Sequence, residues 1–117
     1  MRRVGGAHRG LDMWLVQRSS ALYMALFLPA FVLCAVSADP MDFASWRGLF
    51  QPMWMKVASL LFVASLLTHA WIGLREIIID YVHCRRCVLP RLVLYFGFAV
   101  LYLGCLAWSI DILWSVK

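Results

Sequence analysis

Residues 66–82, LLTHAWIGLREIIIDYV, decide the fold. They continue an apolar run that opens at Met53, and the whole is long enough to cross a hydrocarbon core, which takes about 20 mainly apolar residues in a helix. One histidine, His69, falls at mid-membrane depth, and an Asp80–Tyr81 pair marks the exit. Titratable side chains are expensive in hydrocarbon, so an intramembrane histidine is a functional-site hypothesis whose partner has to be found. The other histidines, His8 and His83, fall outside the expected bilayer core. If His69 ligates a group with two axial positions, the second ligand must come from another chain.

The rest of the chain repeats the membrane signal. Hydrophobic residues make up 64% of the 117 residues and charged residues 15%, with mean hydropathy +0.81. An ordinary soluble domain carries about 25% charged residues, so that class is excluded. Spans are expected over residues 19–38, 53–82 and 90–116, which gives an all-α integral membrane protein with three transmembrane helices. Residues 1–117 read as a single membrane-anchor domain with no separate soluble domain. Pro29 lies inside the first span and is a site for a kink. Between the first two spans runs DPMDFASWRGLFQP, where Asp39-Pro40 stops a helix and Phe43, Trp46, Leu49 and Phe50 recur at helical spacing. That pattern predicts a short interfacial helix.

Eleven Lys and Arg against six Asp and Glu give a formal net charge of +5. The basic residues flank apolar runs, so they read as topology determinants beside anionic lipid and not as a nucleic-acid surface. Arg2, Arg3, Arg9 and Arg18 precede the first span, and Arg85, Arg86 and Arg91 lie between the second and third. By the positive-inside rule that side is expected to be cytoplasmic (or matrix), with the C-terminus across the membrane. A bacterial inner membrane, N-terminus cytoplasmic and C-terminus periplasmic, is the expected location ahead of a mitochondrial inner membrane. Trp14, Trp46, Trp54 and Trp114 fall at the expected interfaces. The N-terminal arginines, the apolar run and Val36-Ser37-Ala38 also fit a secretory signal, but the run is longer than an ordinary signal core, which favours a retained span.

Of the four cysteines, Cys34 and Cys105 lie in apolar runs and read as small core residues. Cys84 and Cys87 form a lone C-x-x-C in a basic loop. Zinc would need two more ligands, and only His83 is near. The order His-Cys-x-x-Cys is also the reverse of covalent haem attachment. Reduced thiols on a cytoplasmic face are expected.

Along the second span His69, Gly73, Glu76, Asp80 and His83 are spaced four, three, four and three residues apart. At 100° per residue they share a stripe about 80° wide. Gly73, one turn from His69, leaves a notch where a flat ligand can approach the backbone, with Leu66, Leu67 and Ile72 as apolar walls. A bis-histidine haem needs such a slot beside an inward imidazole. On spacing alone three readings stay open: haem ligation, a structural histidine bonded to a neighbouring helix with Gly73 allowing close packing, or a proton relay. Asp80 and Tyr81 lie about 17–18 Å further along the axis at 1.5 Å per residue. There Tyr81 either donates a hydrogen bond to a quinone carbonyl or anchors the helix at the headgroups. Arg18 either pairs with a propionate or phosphate or snorkels as a topology arginine.

The string His69-Ala-Trp-Ile-Gly73 followed by Asp80-Tyr81-Val82 resembles the second helix of the small hydrophobic (D-type) membrane anchor subunit of succinate dehydrogenase, respiratory complex II. Chain length, three spans, a basic N-terminus with Arg18 entering the first span and a short turn after Tyr-Val fit the same likeness. The resemblance implies a non-catalytic subunit that pairs with a second, cytochrome b-type membrane anchor subunit. The pair would bind haem b between them and hold an iron–sulfur subunit and a flavoprotein subunit on the cytoplasmic side. It further implies His69 as one axial ligand of the haem iron, Arg18 near a propionate, and Tyr81 with Asp80 at a ubiquinone site. Arg75 and Glu76 lie outside the matched motif, and the HCRRC turn is atypical for it. Two competing classes are a cofactor-free structural anchor and a small proton-coupled exporter. An exporter wants an acid deep in a span, whereas Glu76 is off-centre and Asp111 lies near the far boundary.

Overall fold

The computed structural model describes residues 7–38, 40, 42–81 and 88–116, with the side chains from Gly10 onward. Among the described residues four helices follow one another: α1 (Ala7–Ser37), α2 (Phe43–Leu49), α3 (Met53–Tyr81) and α4 (Val88–Ser115). Three of them are long and apolar enough to cross a membrane, and α2 is the short helix expected between the first two. The chain is an all-α, multi-pass membrane protein. At 1.5 Å per residue α3 is about 43 Å long, which exceeds a hydrocarbon core of about 30 Å.

The helices run up, down and up, with α3 in the middle and α1 and α4 packed on it. Lipid tails are as apolar as leucine, so van der Waals packing and interhelical hydrogen bonds must hold such helices together. On the α1 side Phe27 packs on Phe62, ring centroids 5.1 Å apart, and the Tyr23 hydroxyl donates to the Ala58 carbonyl oxygen at 2.8 Å. On the α4 side Trp71 packs on Tyr95 at 5.4 Å and on Phe98 at 5.2 Å. The Thr68 and Tyr102 hydroxyls meet at 3.2 Å, and Lys56 Nζ donates to the Val116 carbonyl oxygen at 2.7 Å. Each aromatic pair contributes roughly 0.5–1.5 kcal/mol beyond its buried area. An interhelical hydrogen bond in a membrane adds about 1 kcal/mol.

Few side chains are enclosed. Among the described residues only Ala35, Met55, Ile72, Ile78 and Leu113 form a buried apolar core. The three long helices make a thin assembly, 64 × 28 × 21 Å, most of whose apolar surface faces outward. Cys105 is partly covered, whereas Cys34 is exposed. The small-core reading of Cys34 is corrected by its place on the outer side of α1, where an apolar run meets lipid or another subunit as readily as core.

The helix bounds differ from the apolar spans in one informative place. Hydropathy marks where hydrocarbon begins, but α1 is already helical from Ala7, well before Ser19. Pro29 lies within a helix that runs on to Ser37. α2 is fastened to α1 by a ring cluster in which Phe31 meets Trp46 edge-on at 5.8 Å and Phe50 at 5.7 Å. His83, Cys84, Arg85, Arg86 and Cys87, Arg2 and Arg3, and the side chains of His8 and Arg9 lie outside the described residues.

Asp42 caps α2, its side chain accepting from the Ser45 backbone N–H at 2.7 Å. The hydrogen bonds from Ser45 favour the charged form and hold its carboxyl below the usual carboxylate range. A lowered folded value means that the cap's contribution is complete above the unfolded value and is lost as pH falls through the folded one. Asp42→Ala should therefore speed amide exchange at Ser45 and Trp46, and acidification of the unsubstituted chain should do the same. Exchange that is unchanged by either would show that the ring cluster alone holds α2.

Candidate functional site

His69 lies near the middle of α3, about 18 Å from Tyr81 at 1.5 Å per residue. Its ring is half-buried against α1, at the crossing where Gln17 and Ser20 face it. Nδ1 stands 3.3 Å from the Gln17 carbonyl oxygen and 3.4 Å from Ser20 Oγ, and Ser20 Oγ donates to that same carbonyl at 2.9 Å. Ser20 is buried, 8% exposed. Both polar contacts of the ring fall on Nδ1; no described residue hydrogen-bonds Nε2.

Gly73 is half-buried, and a Cβ built there would meet nothing within 4 Å. One turn from His69, α3 thus has open space at Gly73 among the described residues. An imidazole with one nitrogen engaged and the other available, next to a face without a side chain, fits one half of a haem site. His69 is the one histidine whose side chain is among the described residues, so no second imidazole faces it there.

The α1–α3 crossing also places Arg18. Adjacent to Gln17, it lies level with His69 and not at the entrance of the helix, because α1 starts earlier than its apolar span. The side chain is exposed and turns back along α1, its guanidinium 5.6 Å from the Trp14 ring centroid. Such a cation–π contact occupies one face of the ring and leaves the guanidinium edge able to meet an anion.

Toward the end of the bundle that bears Tyr81, α1 and α3 part around a groove of about 480 Å³. Gln17, Arg75 and Glu76 supply its polar lining, and Trp14 and Ile72 its apolar walls. The polar stripe is therefore divided: His69 faces α1, Glu76 lines this groove, and Asp80 is exposed near the helix end. Tyr81 is 84% exposed as the last residue of α3. His69 and the Asp80–Tyr81 pair are thus two separate stations on one helix. Trp71, which the motif sets between His69 and Gly73, points away from both and joins α3 to α4.

Sequence reading overlooked Gln17 and Ser20. A signal exists in the polar run Gln17-Arg-Ser-Ser20 within an otherwise apolar helix, although only the helix crossing shows which of its members meets His69.

The fold defines an all-α protein with three helices long and apolar enough to cross a membrane, and a half-buried histidine sits where two of them cross. Residues 1–104 match the family described as succinate dehydrogenase/fumarate reductase transmembrane subunit. The succinate dehydrogenase hydrophobic membrane anchor subunit of Coxiella burnetii (strain RSA 493 / Nine Mile phase I) is 32% identical over 113 residues, covering 95% of this chain and 94% of that one. The chain belongs to this family of transmembrane subunits and is a membrane anchor subunit, associated with the other subunits of such a complex and with the lipid bilayer.

The open face at Gly73 can be probed directly. Gly73→Leu should leave membrane insertion and the α1–α3 pairing of this chain intact, since nothing of its own stands in the way. In the assembled complex the same substitution should lower cofactor content or recovery of another subunit. Unchanged assembly and cofactor content would mean that the notch faces only lipid.

Proposed function

We propose that this chain is the non-catalytic half of a two-subunit membrane anchor in succinate:quinone oxidoreductase, sharing a b-type haem with a second, cytochrome b-type anchor and helping to bind ubiquinone. The observation that carries this reading is the His69 ring, held through Nδ1 by Gln17 and Ser20 at membrane depth beside the open face of Gly73. His69 would supply one axial ligand to the haem iron, Gly73 would let the macrocycle approach α3, and Arg18, level with His69, would meet a propionate. A haem bound there supplies one-electron chemistry within the membrane.

Tyr81 and Asp80 would form this chain's share of the quinone site. Reduction of a quinone to a quinol takes two electrons and two protons at its carbonyl oxygens. The exposed Tyr81 hydroxyl can donate a hydrogen bond to one carbonyl, and the Asp80 carboxylate can accept within the same network. Succinate would be oxidised on the flavoprotein subunit and the electrons delivered through the iron–sulfur subunit. Both would dock at the end of α3 that bears Tyr81. The order of the sequence, with Arg2, Arg3, Arg9 and Arg18 before the first span and Arg85, Arg86 and Arg91 between the second and third, supports that end being the cytoplasmic face of a bacterial inner membrane, with the C-terminus periplasmic.

Two substitutions test the two stations. In the purified complex His69→Ala should abolish the b-type bands of the reduced-minus-oxidised spectrum; bands of unchanged intensity would refute ligation. Tyr81→Phe should lower quinone reduction by about tenfold, the weight of roughly 1.4 kcal/mol for one hydrogen bond. Succinate oxidation with an artificial dye acceptor should stay intact. An unchanged quinone rate would remove Tyr81 from the site.

A further inference from the structure

The contact between α1 and His69 specifies more than proximity. The Ser20 hydroxyl has one proton, and it is directed at the Gln17 carbonyl oxygen 2.9 Å away. Only lone pairs of Ser20 Oγ then remain for Nδ1 of His69, at 3.4 Å. The second neighbour of Nδ1, the Gln17 carbonyl oxygen at 3.3 Å, is an acceptor with no proton to give. A bare Nδ1 would aim its lone pair at that oxygen. If Ser20 turned its proton toward Nδ1, the repulsion from Gln17 would persist and the 2.9 Å bond would be lost. The arrangement is consistent only when Nδ1 carries the proton, and in the neutral ring Nε2 then holds the lone pair.

We infer that Ser20 is a positioning residue, which acts with the Gln17 carbonyl through Nδ1 to hold the His69 ring in one tautomer and orientation, so that Nε2 is the nitrogen offered as ligand. This rests on the haem reading above and assigns a role to a residue outside the motif. Partners on the far nitrogen of a ligating imidazole fix its tautomer and raise its basicity, and their removal costs about 10–100-fold in affinity for the metal group. Burial strengthens the effect, because Ser20 is only 8% exposed and a hydrogen bond is stronger in such low-dielectric surroundings.

The test uses the intact complex with Ser20→Thr, Ser20→Val and Ser20→Ala. Threonine and valine share a shape and differ in the hydroxyl, while alanine introduces no bulk. Haem retained per complex on dilution and the haem midpoint potential by redox titration are measured for each. Ser20→Thr should behave as the unsubstituted complex. Ser20→Val and Ser20→Ala should hold haem about 10–100-fold less tightly. Their potential should also move upward, since an imidazole with a weaker Nδ1–H bond donates less to ferric iron. Wild-type retention and potential in an assembled Ser20→Ala complex would overturn the inference and leave ligation by His69 standing. An unsubstituted complex without haem would overturn both.

Discussion

A titratable ring inside a helix that crosses hydrocarbon has to be given polar company, and the crossing of α1 and α3 is arranged around that requirement. Gln17 and Ser20 reach His69 at 3.3 and 3.4 Å. The contact fixes the register of the two helices, because sliding α1 by one residue would turn Ser20 away by about 100°. The next turns of the seam follow from it, with Tyr23 bonded to the Ala58 carbonyl and Phe27 on Phe62. At the far end the ring cluster of Phe31, Trp46 and Phe50 ties α2 to the same face. One polar contact and a ladder of rings thus set the geometry of half the molecule.

The consequence is a chain that satisfies itself only in part. Three helices in a thin layer enclose a handful of residues, and the seam engages one nitrogen of His69. A Cβ at Gly73 would meet no described residue within 4 Å. A subunit whose role is to share a site with others is expected to look like this. On the proposed reading its own packing would position the ligand atom, and neighbouring subunits would complete the surroundings. Keeping Tyr81 at the end of α3, about 18 Å from His69, separates a buried station from one at the interface while a single rigid helix sets their spacing.

Much of this was legible from residue order. The spans were, because hydrocarbon thickness demands runs of fixed length, and α2 was, because Phe43, Trp46 and Phe50 mark one face of a helix after a stop at Asp39-Pro40. His69 was legible as a polar exception in an apolar helix. The start of α1 was not: hydropathy reports the bilayer boundary, whereas the helix continues past it to Ala7. Arg18, which opens the apolar span, therefore stands inside α1, where the crossing puts it level with His69. Ser20 escaped notice because serines are common in membrane helices, and only interhelical register distinguishes the one that bonds a histidine. Cys34 was read as core because an apolar run looks the same whichever way its residues point.

The central claim is that Nε2 of His69 is kept free by α1 in order to bind iron. A density map of the assembled complex, at a resolution that orients the imidazole, tests it most directly. It should show porphyrin iron on Nε2, with Nδ1 still facing Gln17 and Ser20. A ring whose Nε2 instead bonds a side chain of a neighbouring helix, with no porphyrin beside Gly73, would contradict the account.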